Sequence, residues 1–546
     1  MASTTAFKIP FAPHPIHEDI PSTPESLMSN ESTPSPMSDH SSAPSSLFLT
    51  PISRQSQSLL LRSPSEILHR VLCNSGTEDL PAIARAAKTC RELRSFIYEN
   101  PDQALWRDIH LRRFDDPRTA GAFVHPRAEF DWKKRVQDRE FVARIFREWP
   151  EERFEELADH LDLICSTLLD MYLDLPASGC PSNTAPSFAG YEETNNGHII
   201  ESILRSDAFQ YIYLNLSTRE TKPLLRPLRA QPGNPNRRSH KEVVNPHLSR
   251  LHVLLSPDFN HDIIVHRQHR GYLREVVYSA SNFQQRNDWG PFTEDGKVDW
   301  TLVDAIGSVM MANAKDVLSM GEDGWRQAVL PLSYGLETVR CWGYNDLRRP
   351  ASLAQDEIWD WAGVQGPWCG SYAFLDYADW ISLNEPRLVQ LRRSMNQLDL
   401  SRYSEAIGDL MRLDLVIDKD ASSATKAYAQ RQHHAADDLH AVSTHLPTSD
   451  LLPPIHFHGS SVQHNGATTY PSQSPASFVR GVVRLTADDP PQVRWTLVIR
   501  YGGEDRWRLE GVQVGGRGAK RGFFGVWTDA MKEEHSPNGP VWYWKP

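Results

Sequence analysis

The stretch from Ser63 to Arg118 constrains this chain more than any other, because it carries more apolar surface than so short a segment can hide. Pro64 suits the first position of a helix, where its missing N–H costs nothing. Ile67, Leu68, Val71 and Leu72 then recur at helical spacing and form one apolar stripe. Asn74, Ser75 and Gly76 are expected to break that helix. A second helix is expected from Asp79, carrying Leu80, Ile83, Ala84, Ala87, Cys90 and Leu93. Asn100-Pro101 stops it, and Leu105, Trp106, Ile109 and Leu111 form a third apolar set. A unit of roughly 50 residues buries only a modest share of its surface and is marginal alone. It must pack on the rest of this chain or on another protein.

The remaining length allows company. With 546 residues the chain has room for two to four domains. A hydrophobic content of 40% supports a real core, while 30 Gly and 39 Pro argue for much loop. The net charge of −11 gives no basic footprint for nucleic acid. The six cysteines, Cys73, Cys90, Cys165, Cys180, Cys341 and Cys369, form no Cys-x-x-Cys pair. That pattern fits buried thiols in a reducing compartment better than a disulfide framework or a zinc site. No apolar run approaches the roughly 18 residues of a membrane helix, and no basic-then-apolar leader opens the chain. A cytoplasmic or nuclear protein without a membrane contact is expected.

Taken in order, residues 1–58 are rich in Ser, Thr and Pro and read as a disordered tail. Thr23-Pro24, Thr33-Pro34, Ser35-Pro36 and Thr50-Pro51 are candidates for proline-directed phosphorylation, against a passive tail. After the helical block of 59–118, a helical linker is expected over 119–180, with Phe141, Ile145, Trp149, Phe154, Leu157, Leu161, Ile164, Leu168, Leu169 and Tyr172 at helical spacing. A mixed α/β recognition region is expected over 199–420. It has strand-like alternation at Phe209, Tyr211 and Tyr213, strand-like pieces in 252–292, a turn at Asn287-Asp288-Trp289-Gly290-Pro291 and a helix over 304–318. A basic, Pro-rich loop spans 223–245, and a polar, His-rich segment over 421–450 reads as a disordered connection.

From residue 451 to 546 the period changes to two. Phe478, Arg480 and Val482 alternate, then Val493, Trp495, Leu497, Ile499 and Tyr501, then Trp507, Leu509, Gly511 and Gln513. Asp488-Asp489-Pro490-Pro491, Gly502-Gly503-Glu504-Asp505 and Gly515-Gly516 separate these runs as turns. Short strands joined by tight turns form an antiparallel meander, closed as a barrel or strongly curved. The expected fold class is α+β: a tail, a helical block with a helical linker, then a mainly antiparallel β domain. Two segments join Trp to Gly, Trp359 to Trp368 and Val493 to Lys545, and suggest closed β-structure with small pockets.

Pro64-Ser65-Glu66-Ile67-Leu68, Asp79-Leu80, Cys90-Arg91-Glu92-Leu93 and Leu105-Trp106-Arg107 together resemble an F-box. Ser63 stands where the family usually has Leu, and Cys90 where many members have Trp. The region of about 355–380 and 455–546 is similar to the long C-terminal region of a fungal-type F-box family without WD40 or leucine-rich repeats. The resemblance implies a non-catalytic substrate receptor of a Skp–cullin–F-box ubiquitin ligase. Pro64, Ile67, Leu68, Val71, Leu72, Leu80, Ile83, Cys90, Leu93 and Trp106 would dock on the Skp adaptor, and through it on cullin and RING subunits. The C-terminal region would hold a protein target, with Trp368 and Trp507 as candidate pocket walls. For each Trp the alternative is core packing.

No Gly-x-Ser-x-Gly, phosphate-binding Gly-Lys-Ser/Thr, His-Glu-x-x-His or Gly-x-Gly-x-x-Gly motif stands where its fold would require it. Gly515-Gly516-Arg517-Gly518 reads as a hairpin rather than a phosphate cradle. His456, His458 and His464 suggest a metal site only weakly, having no fixed carboxylate, so no metal or cofactor is expected. Two alternatives stay open beside the ligase receptor: a barrel, binding or enzymatic, that takes a small ligand, and an F-box scaffold acting outside the ligase.

Overall fold

In a computed structural model, residues 59–120, 130–175, 194–212, 245–255, 267–320, 349, 353–387, 405–408, 410–420, 423, 442–463, 477–501, 503–515, 519, 521–532 and 536–546 are described. The tail of 1–58, the bulk of the basic loop at 223–245, and His433, His434 and His464 fall outside them.

The amino-terminal block is five helices: α1 (Leu59–Arg62), α2 (Ser65–Glu78), α3 (Leu80–Ala87), α4 (Arg91–Tyr98) and α5 (Ala104–Arg113). Pro64 is the N-cap of α2, one place before the first helical position expected for it. The expected break at residues 74–76 does not occur, and α2 runs on to Glu78. The reason is packing: a Cβ on Gly76 would lie 2.7 Å from Ile109 Cδ1 and 2.8 Å from Ile83 Cγ1. Glycine here lets α2 approach its neighbours closely, and that contact outweighs its poor helix propensity. The expected single helix from Asp79 to Leu93 is instead two. Cys90 begins α4 as an extended N-cap whose Sγ accepts the Leu93 N–H at 3.5 Å.

The described residues of the linker are largely helical. α6 spans Trp132–Glu148, a 3₁₀ segment spans Glu151–His160, and α7 spans Leu161–Leu173. Further on, two expectations fail. Phe209 and Tyr211 lie in a short helix, Asp207–Tyr211, behind another at Asn195–Leu204. The strand-like pieces of 252–292 include the helices Pro246–Leu255 and Arg267–Val277. In both places aromatic and β-branched residues are buried on several sides of a helix, so period-two spacing carried no information. The expected helix over 304–318 is present and longer, Trp300–Met320.

The β domain is a closed barrel of eight antiparallel strands. Its ten strands in chain order are β1 (Gly366–Leu375), β2 (Glu405–Ile407), β3 (Met411–Asp418), β4 (Thr448–Ser449), β5 (Ile455–Gln463), β6 (Ser477–Thr486), β7 (Val493–Tyr501), β8 (Glu504–Gln513), β9 (Phe523–Asp529) and β10 (Asn538–Trp544). The path β1-β3-β5-β6-β7-β8-β9-β10 closes when β10 pairs with β1, Cys369 opposite Trp544 and Tyr372 opposite Val541. β2 and β4 are short additions to β1 and β6. Closure removes the free edges that would invite aggregation. β1 and β3 of the barrel come from the expected mixed region of 199–420, and β5 to β10 complete it. Residues 442–450 of the expected disordered connection also belong to the fold, with β4 among them and Leu446 buried.

Alternation decides what faces where. Trp368, Leu413, Phe457, Trp495, Phe523 and Tyr543 point into the barrel and are all but fully buried. Their rings touch in series: Trp368 to Trp495 at 4.9 Å, Trp495 to Phe523 at 4.9 Å, Phe523 to Tyr543 at 5.4 Å. Outward-facing Val512, Phe524, Val526, Trp542 and Trp544 join the helices in a second core. Polar tethers cross the same boundary. Tyr172 Oη donates to the Gly515 carbonyl at 3.4 Å, and Arg521 Nη1 to the Val253 carbonyl at 3.1 Å. Residues 59–546 thus form one unit with a barrel walled on one side by helices.

Candidate functional site

Two surfaces stand apart from ordinary packing. The first is an apolar ridge at the start of the helical block. Ten large hydrophobic side chains are exposed among the described residues, and four of them lie within thirteen positions: Leu59, Leu60, Ile67 and Val71. Ile67 is 49% exposed and Val71 is 45% exposed. Spaced one turn apart, they share an outer face of α2, while Leu68 and Leu72 beside them are buried. Pro64 is exposed at the head of the ridge. Beyond α3, an open groove runs along α4, lined by Arg91, Glu92, Ser95, Phe96, Glu99 and Asn100.

Six of the ten expected adaptor contacts do not reach this surface. Leu68, Leu72, Leu80, Ile83, Leu93 and Trp106 are sealed inside the chain's own core. Trp106 stacks on Tyr98 at 5.8 Å, and its indole N–H donates to the Ile97 carbonyl at 2.7 Å. Cys90 is half-buried and occupied as a helix cap. The physical reason is that α2 to α5 bury these side chains against one another, with Ile83 and Ile109 closing on Gly76, while α6 packs on α5. His110, with no exposure, packs on Phe114 at 5.3 Å and Trp132 at 5.1 Å. Burial, then the Arg139 guanidinium, pushes its imidazole down to about 3. Arg135 and Arg139 of α6 both reach the buried Asp174 carboxylate just beyond α7, which ties the linker together.

The second surface is one end of the barrel. The opposite end is plugged by the turn that precedes β1. Asp360 accepts the N–H groups of Val364 and Gln365 at 2.7 and 2.8 Å, Trp361 donates to the Pro453 carbonyl at 2.8 Å, and Trp368 donates to the Val364 carbonyl at 2.8 Å. Trp368 is therefore core at the closed end and no wall of an open pocket, contrary to expectation. Trp507 lies at the other end. It is half-buried, meets Trp527 edge-on at 5.0 Å, and carries the Arg506 guanidinium 5.3 Å above its ring. Tyr372 meets the same Trp527 at 5.8 Å and stacks with Phe374, which is 37% exposed. Met411 and Ile499 complete a rim in which apolar faces remain partly wet.

Comparison of the chain with protein-family models, with curated proteins and with solved structures finds no match.

The feature that sequence reading missed is an ionic network on the outer face of β6–β8. Arg494 donates to Glu510 Oε2 at 2.8 Å and to Asp288 Oδ2 at 2.6 Å. Arg508 donates to Glu510 Oε1 at 2.6 Å, and Thr496 to Glu510 Oε2 at 2.9 Å. Burial alone would raise the Asp288 carboxyl, but Arg494 and Arg508 outweigh it and hold it below the usual carboxylate range. Asp288 reaches the barrel because it and Trp289 both adopt left-handed backbone, with φ of 54° and 55°. The signal in the sequence was an arginine at outward positions of three adjacent strands, a pattern that ordinarily means a solvated face.

His456 and His458 do share a strand face, but His458 Nδ1 pairs with Asp418 at 2.9 Å and its ring stacks on Phe478. Among the described residues no three His, Cys, Asp or Glu side chains are grouped to hold a metal. No helix among them is long and apolar enough to cross a membrane.

Proposed function

We propose that this chain is the substrate-recognition subunit of a Skp–cullin–F-box ubiquitin ligase. The observation that carries the reading is the ridge of Leu59, Leu60, Ile67 and Val71, each more than 40% exposed beside a helical block that buries Leu68, Leu72, Leu80, Ile83, Leu93 and Trp106. Large apolar side chains left in water close together in the chain fit a surface that a partner covers. The Skp-type adaptor covers it, with Pro64, Ile67 and Val71 as contacts, and brings in the cullin and RING subunits. A stable contact of this kind buries on the order of 1,200–2,000 Å².

The chain performs no chemistry itself. It raises the effective concentration of a protein target next to the ligase's transferring subunit. The target sits on the barrel rim, where Trp507, Tyr372 and Phe374 offer rigid apolar faces to an inserted side chain. Because helices and barrel share a core, target and adaptor are held at a fixed separation.

The test is the double variant Ile67→Asp, Val71→Asp in the full chain. Both side chains are exposed, so the fold should survive, whereas a charge at Leu68 would unfold the block. Adaptor co-purification should be lost while the melting temperature stays within about 1 °C. Undiminished co-purification by the folded variant would reject the assignment.

A further inference from the structure

The ionic network beneath residues 442–445 holds more positive than negative charge. Among the described residues, Arg484, Arg494, Arg508 and Lys532 face two carboxylates, Asp288 and Glu510. The exposed His445 touches the same Asp288 at 3.6 Å. The strain is visible in two ways. Arg484 Nη1 is buried and has no hydrogen-bond partner among the described residues. Burial, then the neighbouring arginines, lowers the guanidinium of Arg484, and burial with Arg508 lowers the amine of Lys532 to about 8.

The segment lying over these cations is built from backbone oxygens. Arg484 Nη2 donates to the Val442 carbonyl at 3.3 Å, and Arg508 Nη2 donates to the Ser443 carbonyl at 2.9 Å. Arg494 Nη1 donates to Thr444 Oγ1 at 2.8 Å. Ser443 itself is exposed. Ser443 is thus anchored through its own and the preceding carbonyl, one to each of the two guanidiniums.

We infer that Ser443, Arg484 and Arg508 form a site for a phosphate monoester dianion. A phosphate carries about −1.5 to −2 charge and three acceptor oxygens, which matches the surplus of two cations. Guanidinium forks receive such a group through paired N–H donors. The phosphate is carried on Ser443 itself, after a protein kinase moves the terminal phosphoryl of a nucleoside triphosphate to Oγ and releases the diphosphate and a proton. The other source of the same chemistry is a free phosphate. In either case residues 442–446 are clamped to the barrel wall, and Arg484 Nη1 gains an acceptor.

The experiment installs phosphoserine at position 443 of the full chain and compares its melting with the unmodified protein. A rise of about 2–3 °C is expected, shrinking to under about 1 °C in Arg484→Gln. A second arm titrates inorganic phosphate into the unmodified chain at constant ionic strength; a rise there instead assigns the site to free phosphate. Phosphorus NMR of the phosphoserine supplies an independent reading if Arg484→Gln does not fold: its second ionisation should fall at least one unit below the usual value of about 6. Unchanged melting in both arms, a gain that survives Arg484→Gln, or an unshifted phosphorus titration would overturn the inference.

Discussion

The helical block of 59–113 and the barrel wall of β6–β8 treat water in opposite ways. The helices leave Leu59, Leu60, Ile67 and Val71 outside and hide a neutral His110. The wall hides Arg494, Arg508, Glu510 and Asp288, with none of the four more than 8% exposed. Each arrangement costs free energy in isolation. The proposed adaptor would cover the first, and the proposed phosphate would answer the charge that Arg484 and Lys532 add to the second. The lesson is that the informative residues are those on the wrong side of the surface for their chemistry.

The contrast can be broken most forcefully at Glu510. Glu510→Ala leaves Arg494, Arg508 and Thr496 facing an empty place, and loss of one member of a buried ionic group typically costs about 3–5 kcal/mol. Denaturant unfolding should show this, and a loss under about 1 kcal/mol would mean the network is solvated rather than buried.

His110 probes the helical side through pH. Its folded value of about 3 lies below the ordinary 6.5, so below pH 6.5 the unfolded chain binds a proton that the folded chain refuses. Stability is complete above that pH and falls by about 1.4 kcal/mol per unit toward pH 3, or about 2 kcal/mol at pH 5. His110→Leu should flatten that slope in chemical denaturation measured from pH 7 to 5. An unaltered slope would show that the ring is not held neutral.

A smaller effect is expected at Gly76→Ala. The added methyl meets Ile109 and Ile83 below 3 Å, an overpacking worth about 1–3 kcal/mol, against a helix-propensity gain of up to about 1 kcal/mol. The net should be a destabilisation of about 1–2 kcal/mol, read as a lowered denaturation midpoint. A stabilised variant would mean that α2 does not lie this close to α3 and α5. The smallest change belongs to the ridge. Ile67→Asp with Val71→Asp should alter intrinsic stability by under about 1 kcal/mol, so the loss of adaptor binding expected there reports on the surface alone.

Much of the fold was legible in the sequence because its signals were local. Period-two alternation in Val493–Tyr501 and the Gly-rich turns after it required strands and hairpins. Helical spacing required the helix that became Trp300–Met320. The failures were also physical. Phe209 and Tyr211 alternate as a strand would, yet lie on a helix buried on more than one side. Trp368 and Trp507 look alike in sequence, each beside a turn. The register of β1 buries the first among rings, and the position of β8 leaves the second at a half-open rim.

Sequence alone determined that this chain has an apolar helical block near its amino end and an antiparallel domain at its carboxyl end, because hydrophobic periodicity and turn chemistry act over a few residues. Only the tertiary structure decided which apolar side chains of α2 stay in water and which are absorbed by neighbouring helices. It alone brought Asp288, more than 150 residues before β6 begins, against arginines of the barrel wall. Such choices depend on contacts between segments far apart in the chain, and no local pattern records them.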